Sequence, residues 1–510
     1  MNKNHRRAAQ LVVLVLLLAA LAFAQTPAPA SAGGTTDLLE VLRAKGILTQ
    51  QEYDALKQRV MAPTMAAEQA APMPAPITHT PFITMMDSGI GMHVGEVDLK
   101  FSGELNAFYV HDRPNSNPNV AAGGLVSNNG VGGELGAVPN SSVREGLLPS
   151  DFNVTVSTRQ KGLDILVDFG FYPGINSVKS GGPGFYVNNG LATAFSTSGM
   201  DMRQQYLTVG NKHIGTFKFG RDIGLFAQEA ILNDFTILAV GTPNGNVNPG
   251  SVSLGRIGLG YIYTDFQPQI TYTTPSMGGL TASFGVFQPL SDILGESFST
   301  PAAAAAYGTP LLSGHSQPAF QAKLAYATPF KGPVKVNFWL NGLTQDLQAG
   351  NAAEAKAVNF KVGQSVRETA FDGGAKVAVK DFSFVAYGYN GRGIGTEAQL
   401  LLGLDAVAHP RESRGGYLQG TYTLAKKLTL GGSWGISHLE LTPDDKLIGA
   451  TSLLRSNWSD VAQVRYALTK WVTPIAEYTH TVSTAHDTGH LGGTPRATED
   501  SIALGTIVFF

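Results

Sequence analysis

The sequence ends with Ser501-Ile-Ala-Leu-Gly-Thr-Ile-Val-Phe-Phe510, a strand pattern in which apolar residues alternate with small or polar ones and the last residue is aromatic. In a soluble domain this strand would be a sticky terminal edge, because its backbone groups lack partners on one side. In an outer-membrane β-barrel it is the closing strand, and closure pairs every edge group. The stretch therefore predicts a closed membrane barrel.

The first residues indicate export. Three basic residues precede the apolar run 11–21, and Ala22-Phe-Ala24 follows it as a cleavage site. The run is shorter than the ~20 apolar residues that a spanning helix needs. Residues 1–24 are therefore predicted to be a secretory signal peptide, and the mature chain is predicted to begin near Gln25.

The composition excludes several classes of protein. The formal net charge is −2 and becomes about −5 once the three basic leader residues are removed, so no basic tract predicts nucleic-acid binding. The chain has 60 glycines, 15% charged residues and no cysteine, which suits a barrel closed by strand pairing alone. After the leader, no apolar run is long enough for a spanning helix. These features predict an all-β chain.

The residues between the leader and the barrel predict a small helical extension. Residues 25–34 are rich in Ala, Pro and Gly and are predicted to be flexible. Two short helices are expected within 35–60, the first stopped by Gly46 and the second opened by a capping box at Thr49. This segment is interpreted either as a tether or as a periplasmic oligomerisation element. Residues 61–96 are interpreted as a linker.

From residue 97 apolar and polar residues alternate with a period of two, as they do in transmembrane strands of ~9–11 residues. The fold prediction is an all-β, 16-stranded antiparallel transmembrane β-barrel over 97–510. Its strands are expected at 97–110, 150–159, 162–172, 201–210, 215–221, 267–274, 279–288, 316–327, 333–344, 367–380, 382–391, 413–424, 428–439, 457–468, 471–482 and 498–510.

The connections between these segments alternate between tight turns and long loops. Short turns such as 160–161 and 469–470 separate loops such as 111–149, 173–200 and 222–266, which are rich in Gly, Asn, Ser and Pro. Short periplasmic turns and long outer loops give this rhythm in outer-membrane barrels. Both ends of the barrel are therefore expected on the periplasmic side.

Two stretches resemble the Gram-negative general porins, which are trimeric sixteen-stranded outer-membrane channels. Gly215-Thr-Phe-Lys-Phe-Gly-Arg221 resembles their strand before the constriction loop, and Gln269-Ile-Thr-Tyr-Thr-Thr-Pro-Ser-Met-Gly-Gly-Leu280 resembles the strand–turn–strand after it. Phe510, with Gly505 upstream, resembles the assembly signal of these barrels. The segment 38–56 is similar to the leader of some phosphate-selective porins. The resemblance implies outer-membrane lipid, the barrel-insertion machinery and small hydrophilic solutes as partners, a homotrimer, and no cofactor.

The sequence departs from both groups of porins. The Pro-Glu-Phe-Gly signature often found in the constriction loop is absent. Loop 222–266 contains only one basic residue, Arg256, whereas a phosphate site would need a cluster of them. Phosphate selectivity is therefore not expected.

The resemblance implies that the third outer loop, 222–266, folds inward and narrows the channel. Acidic side chains on this loop, opposite basic ones on the wall, would set a transverse field that orients solutes. Porins conduct by diffusion, so no catalytic residue is expected. The candidate constriction residues are Asp222, Glu229 and Asp234 on the loop, and Lys100, Arg159, Arg203, Lys218 and Arg221 on the wall.

Two other functions stay open. An outer-membrane anchor would use the helices of 35–60 to bind a periplasmic or cell-wall partner. A barrel-embedded hydrolase would need a nucleophile near a histidine, but His213, His438 and His480 form no such local motif. No metal site is predicted: His486 and His490 share an i, i+4 spacing, but their Gly and Thr neighbours and the absence of cysteine argue against one.

Overall fold

The structure is a computed structural model, and its barrel belongs to a compact unit spanning 81–510. It describes residues 54, 83–86, 89–115, 123–126, 139–175, 200–243, 245–246, 252–290, 312–329, 332–449, 453–486 and 496–510. The predicted signal peptide, the flexible segment 25–34 and, apart from residue 54, the helical segment 35–60 lie outside these residues. Among the described residues, no helix is both long and apolar enough to span a membrane.

The described residues form nineteen strands, which are numbered here in chain order. They are β1 (Ile83–Met85), β2 (Ile90–Val94), β3 (Val97–Pro114), β4 (Asn140–Arg144), β5 (Asp151–Gln160), β6 (Leu163–Pro173), β7 (Met200–Asn211), β8 (Gly215–Ile223), β9 (Phe266–Thr273), β10 (Leu280–Phe287), β11 (Ala319–Ala327), β12 (Val334–Gln348), β13 (Ser365–Val379), β14 (Phe382–Arg392), β15 (Glu412–Leu424), β16 (Leu428–Leu439), β17 (Leu454–Tyr466), β18 (Val472–Ala485) and β19 (Arg496–Phe509).

Sixteen of these strands close into an antiparallel barrel. β3 pairs with β5, each strand from β5 to β18 pairs with the next, and β19 returns to β3. The closing seam places Leu105 opposite Val508, and no strand of the barrel is left with a free edge. The predicted sixteen-stranded fold is confirmed, and every predicted segment overlaps one barrel strand.

Three short strands were not predicted. β1 and β2 form a hairpin inside the stretch 61–96 that was interpreted as a linker, and Ile90 of β2 pairs with Phe101 at the start of β3. Gly89 and Gly95 flank β2 with positive φ, which permits the tight turns on either side of so short a strand. β4 lies in the first long loop and extends the pairing of β3.

Side chains alternate between the two faces of the barrel wall. On β11, Phe320 and Leu324 are exposed on the outer face, whereas Gln321 between them is buried in the interior. The same alternation on the other strands gives an apolar outer surface and a polar interior, which is the pattern of a transmembrane barrel. Trp471 and Phe510 lie 6.2 Å apart at the end that carries the tight turns, where an aromatic girdle is expected.

Within residues 81–510, the short helices of the described chain lie in the long connections. They are α1 (Gln228–Asn233) with a following 3₁₀ helix (Phe235–Leu238), α2 (Ala352–Ala357) and α3 (Pro443–Leu447). Thr442 and Asp445 form a capping box that begins α3. The first pair belongs to the loop between β8 and β9, which is the predicted third loop.

Candidate functional site

The third loop runs from residue 224 to residue 265, between the end of β8 and the start of β9. It begins by hydrogen bonding to inward-facing side chains of β11 and β13. The Leu225 and Phe226 amides donate to Gln321 Oε1 at 2.8 and 2.9 Å, and the Ala227 amide donates to Asp372 Oδ2 at 2.7 Å. The first turn of the loop is thereby fixed to β11 and β13.

The helical part of the loop is held by β15 and β17. Tyr417 donates its hydroxyl to the Ala230 carbonyl at 2.8 Å, and the Phe235 amide donates to Gln419 Oε1 at 2.8 Å. Gln463 on β17 then donates to the Phe235 carbonyl at 3.2 Å. These bonds satisfy backbone groups that the short helices leave unpaired at their ends.

The far end of the loop reaches β18. Glu477 Oε1 accepts hydrogen bonds from the Val240 and Gly241 amides at 3.1 and 2.6 Å. The hydroxyls of Thr242 and Thr481 lie 2.9 Å apart. The loop therefore follows the inner wall from β11 to β18 inside the barrel.

The returning part of the loop, from residue 252 to residue 265, is also bonded to the wall. Arg256 donates to the Ser459 carbonyl at 3.3 Å, and the Gly260 amide donates to Ser437 Oγ at 3.1 Å. Phe226, Ile231, Tyr261 and other apolar loop residues form one hydrophobic core with wall side chains of β12 to β15. This burial stabilises the loop in its inward position.

Glu229 on α1 forms an ion pair with the wall. Lys323 Nζ on β11 lies 3.0 Å from Glu229 Oε1 and also contacts the Gln228 amide oxygen. Both charged side chains remain partly accessible. Leu232, on the same helix, is 53% exposed, so α1 presents one surface to the interior space.

Asp234 was predicted to face the channel, but it does not. Its side chain is 1% exposed and accepts hydrogen bonds from Thr236 and from the Tyr261 hydroxyl. The bond from the Thr236 amide caps the start of the 3₁₀ helix. Burial raises the pKa of Asp234, and the nearby Arg256 guanidinium opposes that rise. Its carboxylate therefore organises the loop and is not presented to a solute.

Lys218 and Asp222 share the inner face of β8. They form an ion pair, Gln204 donates to Asp222 Oδ1 at 2.8 Å, and the Lys218 ammonium lies 4.9 Å from the Tyr206 ring centre. Asp222 is the last inward-facing residue of the strand before the loop begins. The structure thus brings these two predicted residues together.

Arg221 lies on the opposite face of β8 from Lys218. Its side chain faces the same way as those of Phe217 and Phe219, which are exposed on the outer surface. In the pairing of β7 with β8 it lies opposite Gln205, which also faces outward. The sequence placed Arg221 at the constriction because it precedes the loop. The two-residue period of the strand assigns it to the outside instead.

Arg203 lies inside the barrel near the outer end of β7. An irregularity between Gly170 and Tyr172 of β6 shifts the pairing register, which brings the odd-numbered residues 201 and 203 inward. Arg203 donates to Asp201 at 2.9 Å and stacks over the Tyr172 ring at 4.8 Å. Its charge is therefore already paired on the wall.

Lys100 and Arg159 lie at the end of the barrel that carries the tight turns. Arg159 Nη1 is 3.3 Å from Asp164 Oδ1, and both side chains are more than half exposed. Lys100 is exposed at the start of β3, in register with Thr155. The structure does not bring either residue to the third loop.

Sequence reasoning missed most of the side chains that hold the loop. Gln321, Asp372, Gln419, Gln463 and Glu477 were not among the candidate constriction residues. Each occupies the inward position of its strand pattern between outward apolar residues. A polar side chain at an inward-facing position could have indicated these residues from the sequence.

The closing strand carries both predicted assembly residues. Phe510 exchanges backbone hydrogen bonds with Gly103 at 3.0 and 3.1 Å. A Cβ at Gly505 would lie 2.2 Å from the Ala107 carbonyl oxygen and 2.5 Å from the Phe108 ring. Glycine is needed at this position because the cross-strand ring occupies the space of a side chain.

One group of side chains in the outer loops has ligand atoms close enough for a metal ion. Asp405, His409 and Asp444 lie within 4.8 Å of one another. Asp405 already accepts hydrogen bonds from Thr442 and from two backbone amides, and His409 Nδ1 lies 2.7 Å from Asp444 Oδ2. The arrangement joins two outer loops by hydrogen bonds.

A closed, polar-lined barrel with an apolar outer surface is a transmembrane β-barrel. The Gram-negative porin family matches residues 92–485, and the chain belongs to this family. The protein is accordingly an outer-membrane channel. No curated protein matches the chain.

Two solved structures are similar to the chain at low sequence identity. The outer membrane channel DcaP of Acinetobacter baumannii is 13% identical, with a TM-score of 0.55 over 84% of this chain and 99% of that chain. The anion-selective porin from Comamonas acidovorans is 11% identical, with a TM-score of 0.49 over 81% of this chain and 100% of that chain.

Proposed function

We propose that the protein is a water-filled channel for passive diffusion of small hydrophilic solutes and ions, narrowed by the third loop. The observation that carries this proposal is the series of hydrogen bonds from loop residues 225–242 to Gln321, Asp372, Gln419 and Glu477 on the inner wall. A loop held against the inner wall reduces the open cross-section of the barrel. The opposite wall, β5 to β8, then bounds the remaining passage.

Charges on the two sides of this passage are paired locally. Glu229 and Lys323 form one pair on the loop side, and Lys218 and Asp222 form another on the opposite wall. Paired charges of both signs allow hydrated ions of either sign to enter while orienting polar solutes. Asp234 and Arg221, which point elsewhere, have no place in this constriction.

Single-channel recording combined with cysteine labelling tests the proposal, since the chain contains no cysteine. Leu232→Cys is expected to react with a bulky charged thiosulfonate reagent, and the reaction is expected to lower conductance stepwise. Ile231→Cys is the matched control, because Ile231 is only 7% exposed on the same helix. Absence of conductance steps in the unmodified protein would reject the channel. Labelling without a conductance change would reject the constriction.

The outer surface also supports a homotrimer as part of this proposal. Asp460, His480, Asp500 and Arg113 lie side by side in register on β17, β18, β19 and β3. They alternate with inward-facing residues, and His480 Nδ1 lies 2.8 Å from Asp500 Oδ1. Ionisable groups facing lipid are costly, so this row fits contact with a second copy of the chain.

Replacing residues of this row by apolar ones distinguishes whether a neighbouring subunit or lipid covers the row. His480→Leu with Asp500→Leu is expected to abolish the oligomer band on a semi-native gel if neighbouring subunits cover the row. If lipid covers it, the oligomeric state stays unchanged and the barrel resists heating better. Phe284→Leu, on β10 across the barrel, is the control and should change neither property.

A further inference from the structure

The inner wall near the tight turns is rich in hydroxyl groups. This region, called here the periplasmic vestibule, comprises the inward-facing positions of the strands below the third loop. Its hydroxyl residues are Thr155, Ser157, Thr208, Thr216, Thr271, Thr273, Thr281, Ser283, Ser383, Thr421, Thr423, Thr429, Ser433 and Thr473. Several pair with each other, as Thr273 and Ser283 do at 2.8 Å. The surface therefore offers many hydrogen-bond donors.

The charged residues at the same depth are mostly basic. Lys335, Lys376 and Arg465 occupy inward positions close to the tight turns, and Lys100 lies on another strand at similar depth. The carboxylates Asp98, Asp164 and Asp168 also lie here. Asp98 contacts His93, Asp164 contacts Arg159, and Asp168 accepts a hydrogen bond from Thr155. Among the ion pairs of the described residues, none involves Lys100, Lys376 or Arg465. The vestibule therefore carries a net positive charge.

The tight turns extend this positive region onto the rim. Lysines are found in the β5–β6, β7–β8, β13–β14, β15–β16 and β17–β18 turns, at positions 161, 212, 380, 426, 427 and 470. Asp381 is the acidic residue among these five turns. Basic groups around an opening raise the local concentration of anions there.

The carboxylates deeper in the barrel do not balance this charge in the passage. Asp372 and Glu477 are 2% and 3% exposed, and both accept hydrogen bonds from backbone amides of the loop. Asp222 is similarly buried and paired with Lys218. Acidic groups here hold the loop, whereas several basic groups of the vestibule are accessible to solutes.

We infer that the periplasmic vestibule, rather than the constriction, gives the channel a preference for small anions bearing carboxylate or similar oxyanion groups. The inference rests on the proposed diffusion function. Ammonium, guanidinium and hydroxyl donors replace part of the hydration shell of an oxyanion through charge-assisted hydrogen bonds. Because these donors are spread over many strands, a solute exchanges one for the next without a deep binding site.

Reversal potentials across a potassium chloride gradient test the inference on the full-length protein. The unmodified channel should favour chloride over potassium. Lys376→Gln with Arg465→Gln should lower the anion-to-cation permeability ratio about twofold, because two positive charges are lost from the vestibule. Arg414→Gln is the matched control, since it removes one positive charge from the outer face near the outer loops and should not change the ratio.

A second measurement uses organic ions of comparable size. Sodium propionate should permeate faster than tetramethylammonium chloride relative to their diffusion in water, and the double variant should reduce this difference. Conductance with a cation preference, or with a preference that the double variant leaves unchanged, would overturn the inference while leaving the channel function intact. Absence of conductance would instead overturn the proposed function.

Discussion

Lys323 Nζ on the barrel wall lies 3.0 Å from Glu229 Oε1 on the loop helix. This pair crosses from the loop to the wall at the edge of the proposed passage. Its two members therefore have opposite effects on the field there, although their contact also helps to position the loop.

Removing one member of the pair should change ion selectivity. Glu229→Gln leaves the Lys323 charge uncompensated, so the reversal potential should move toward that of an anion-selective pore, and Lys323→Gln should move it the other way. Arg221→Gln is the control on the outer face of β8 and should have no effect. Identical shifts in the two variants would show that the charges of this pair do not act on ions in the passage.

Loss of the Glu477 carboxylate should loosen the loop. In Glu477→Ala the Val240 and Gly241 amides lose their acceptor, which should destabilise the inward position by about 1–3 kcal/mol. The expected result is noisier single-channel current and faster liposome swelling with larger sugars. Glu477→Gln keeps one carbonyl acceptor and should behave nearly as the unmodified protein. Quiet current in the alanine variant would show that this contact does not hold the loop.

The buried pair of Arg411 and Asp445 should hold two outer loops together. Arg411→Met leaves the Asp445 carboxylate buried without its partner, which should cost the local structure about 3–5 kcal/mol. Amide hydrogen exchange should then lose protection in 442–447. Arg414→Met breaks the exposed pair with Glu440 and should change protection little.

The pH dependence of this pair follows from the Asp445 pKa. Burial raises this pKa, but the hydrogen bonds and charge of Arg411, together with the hydrogen bonds from Thr442, outweigh burial and hold the pKa below its ordinary value. A lowered native pKa contributes stability above the unfolded value of about 4, and that stability is lost as the pH falls through the native pKa. Protection in 442–447 should therefore be constant at neutral pH and decrease only in strong acid.

A side chain at Gly505 should impair barrel closure. In Gly505→Val the new atoms meet the Ala107 carbonyl and the Phe108 ring across the seam. The variant should fail to show the folded band that shifts on heating in a denaturing gel. Gly432→Ala, on β16, is the control, because a Cβ there meets nothing within 4 Å. A normal band in the valine variant would show that the seam can move to accept it.

Deleting Phe510 should reduce insertion into membranes. The deletion removes both backbone hydrogen bonds to Gly103 and the ring contact with Trp471. The yield of heat-modifiable protein in the outer membrane should decrease, while the chain is still exported. An unchanged yield would contradict the role of Phe510 as an assembly signal.

All sixteen barrel strands could be predicted from the sequence because lipid and water impose different side chains on the two faces. Alternation such as Phe320, Gln321 and Ala322 is therefore visible in each strand separately. The strands β1, β2 and β4 were missed because three to five residues carry too little of that pattern. The phase of Arg203 depends on a register shift between β6 and β7, which a single strand does not reveal.

The candidate site was less predictable because it depends on contacts between distant residues. Glu477 meets Gly241 only because the loop crosses the barrel, and no local pattern in either segment specifies that path. Asp234 was assigned to the channel from its charge, although its role is to begin a 3₁₀ helix. Arg221 was assigned from its position beside the loop, although strand alternation already placed it outside.

The pairing of Leu105 with Val508 joins residues that are far apart in the sequence. Contacts of such large sequence separation form slowly, because a long segment of chain must first be ordered to bring its ends together. Until that moment β3 and β19 present two unpaired edges that could recruit other chains. The time between export and closure is therefore when this protein most needs a chaperone.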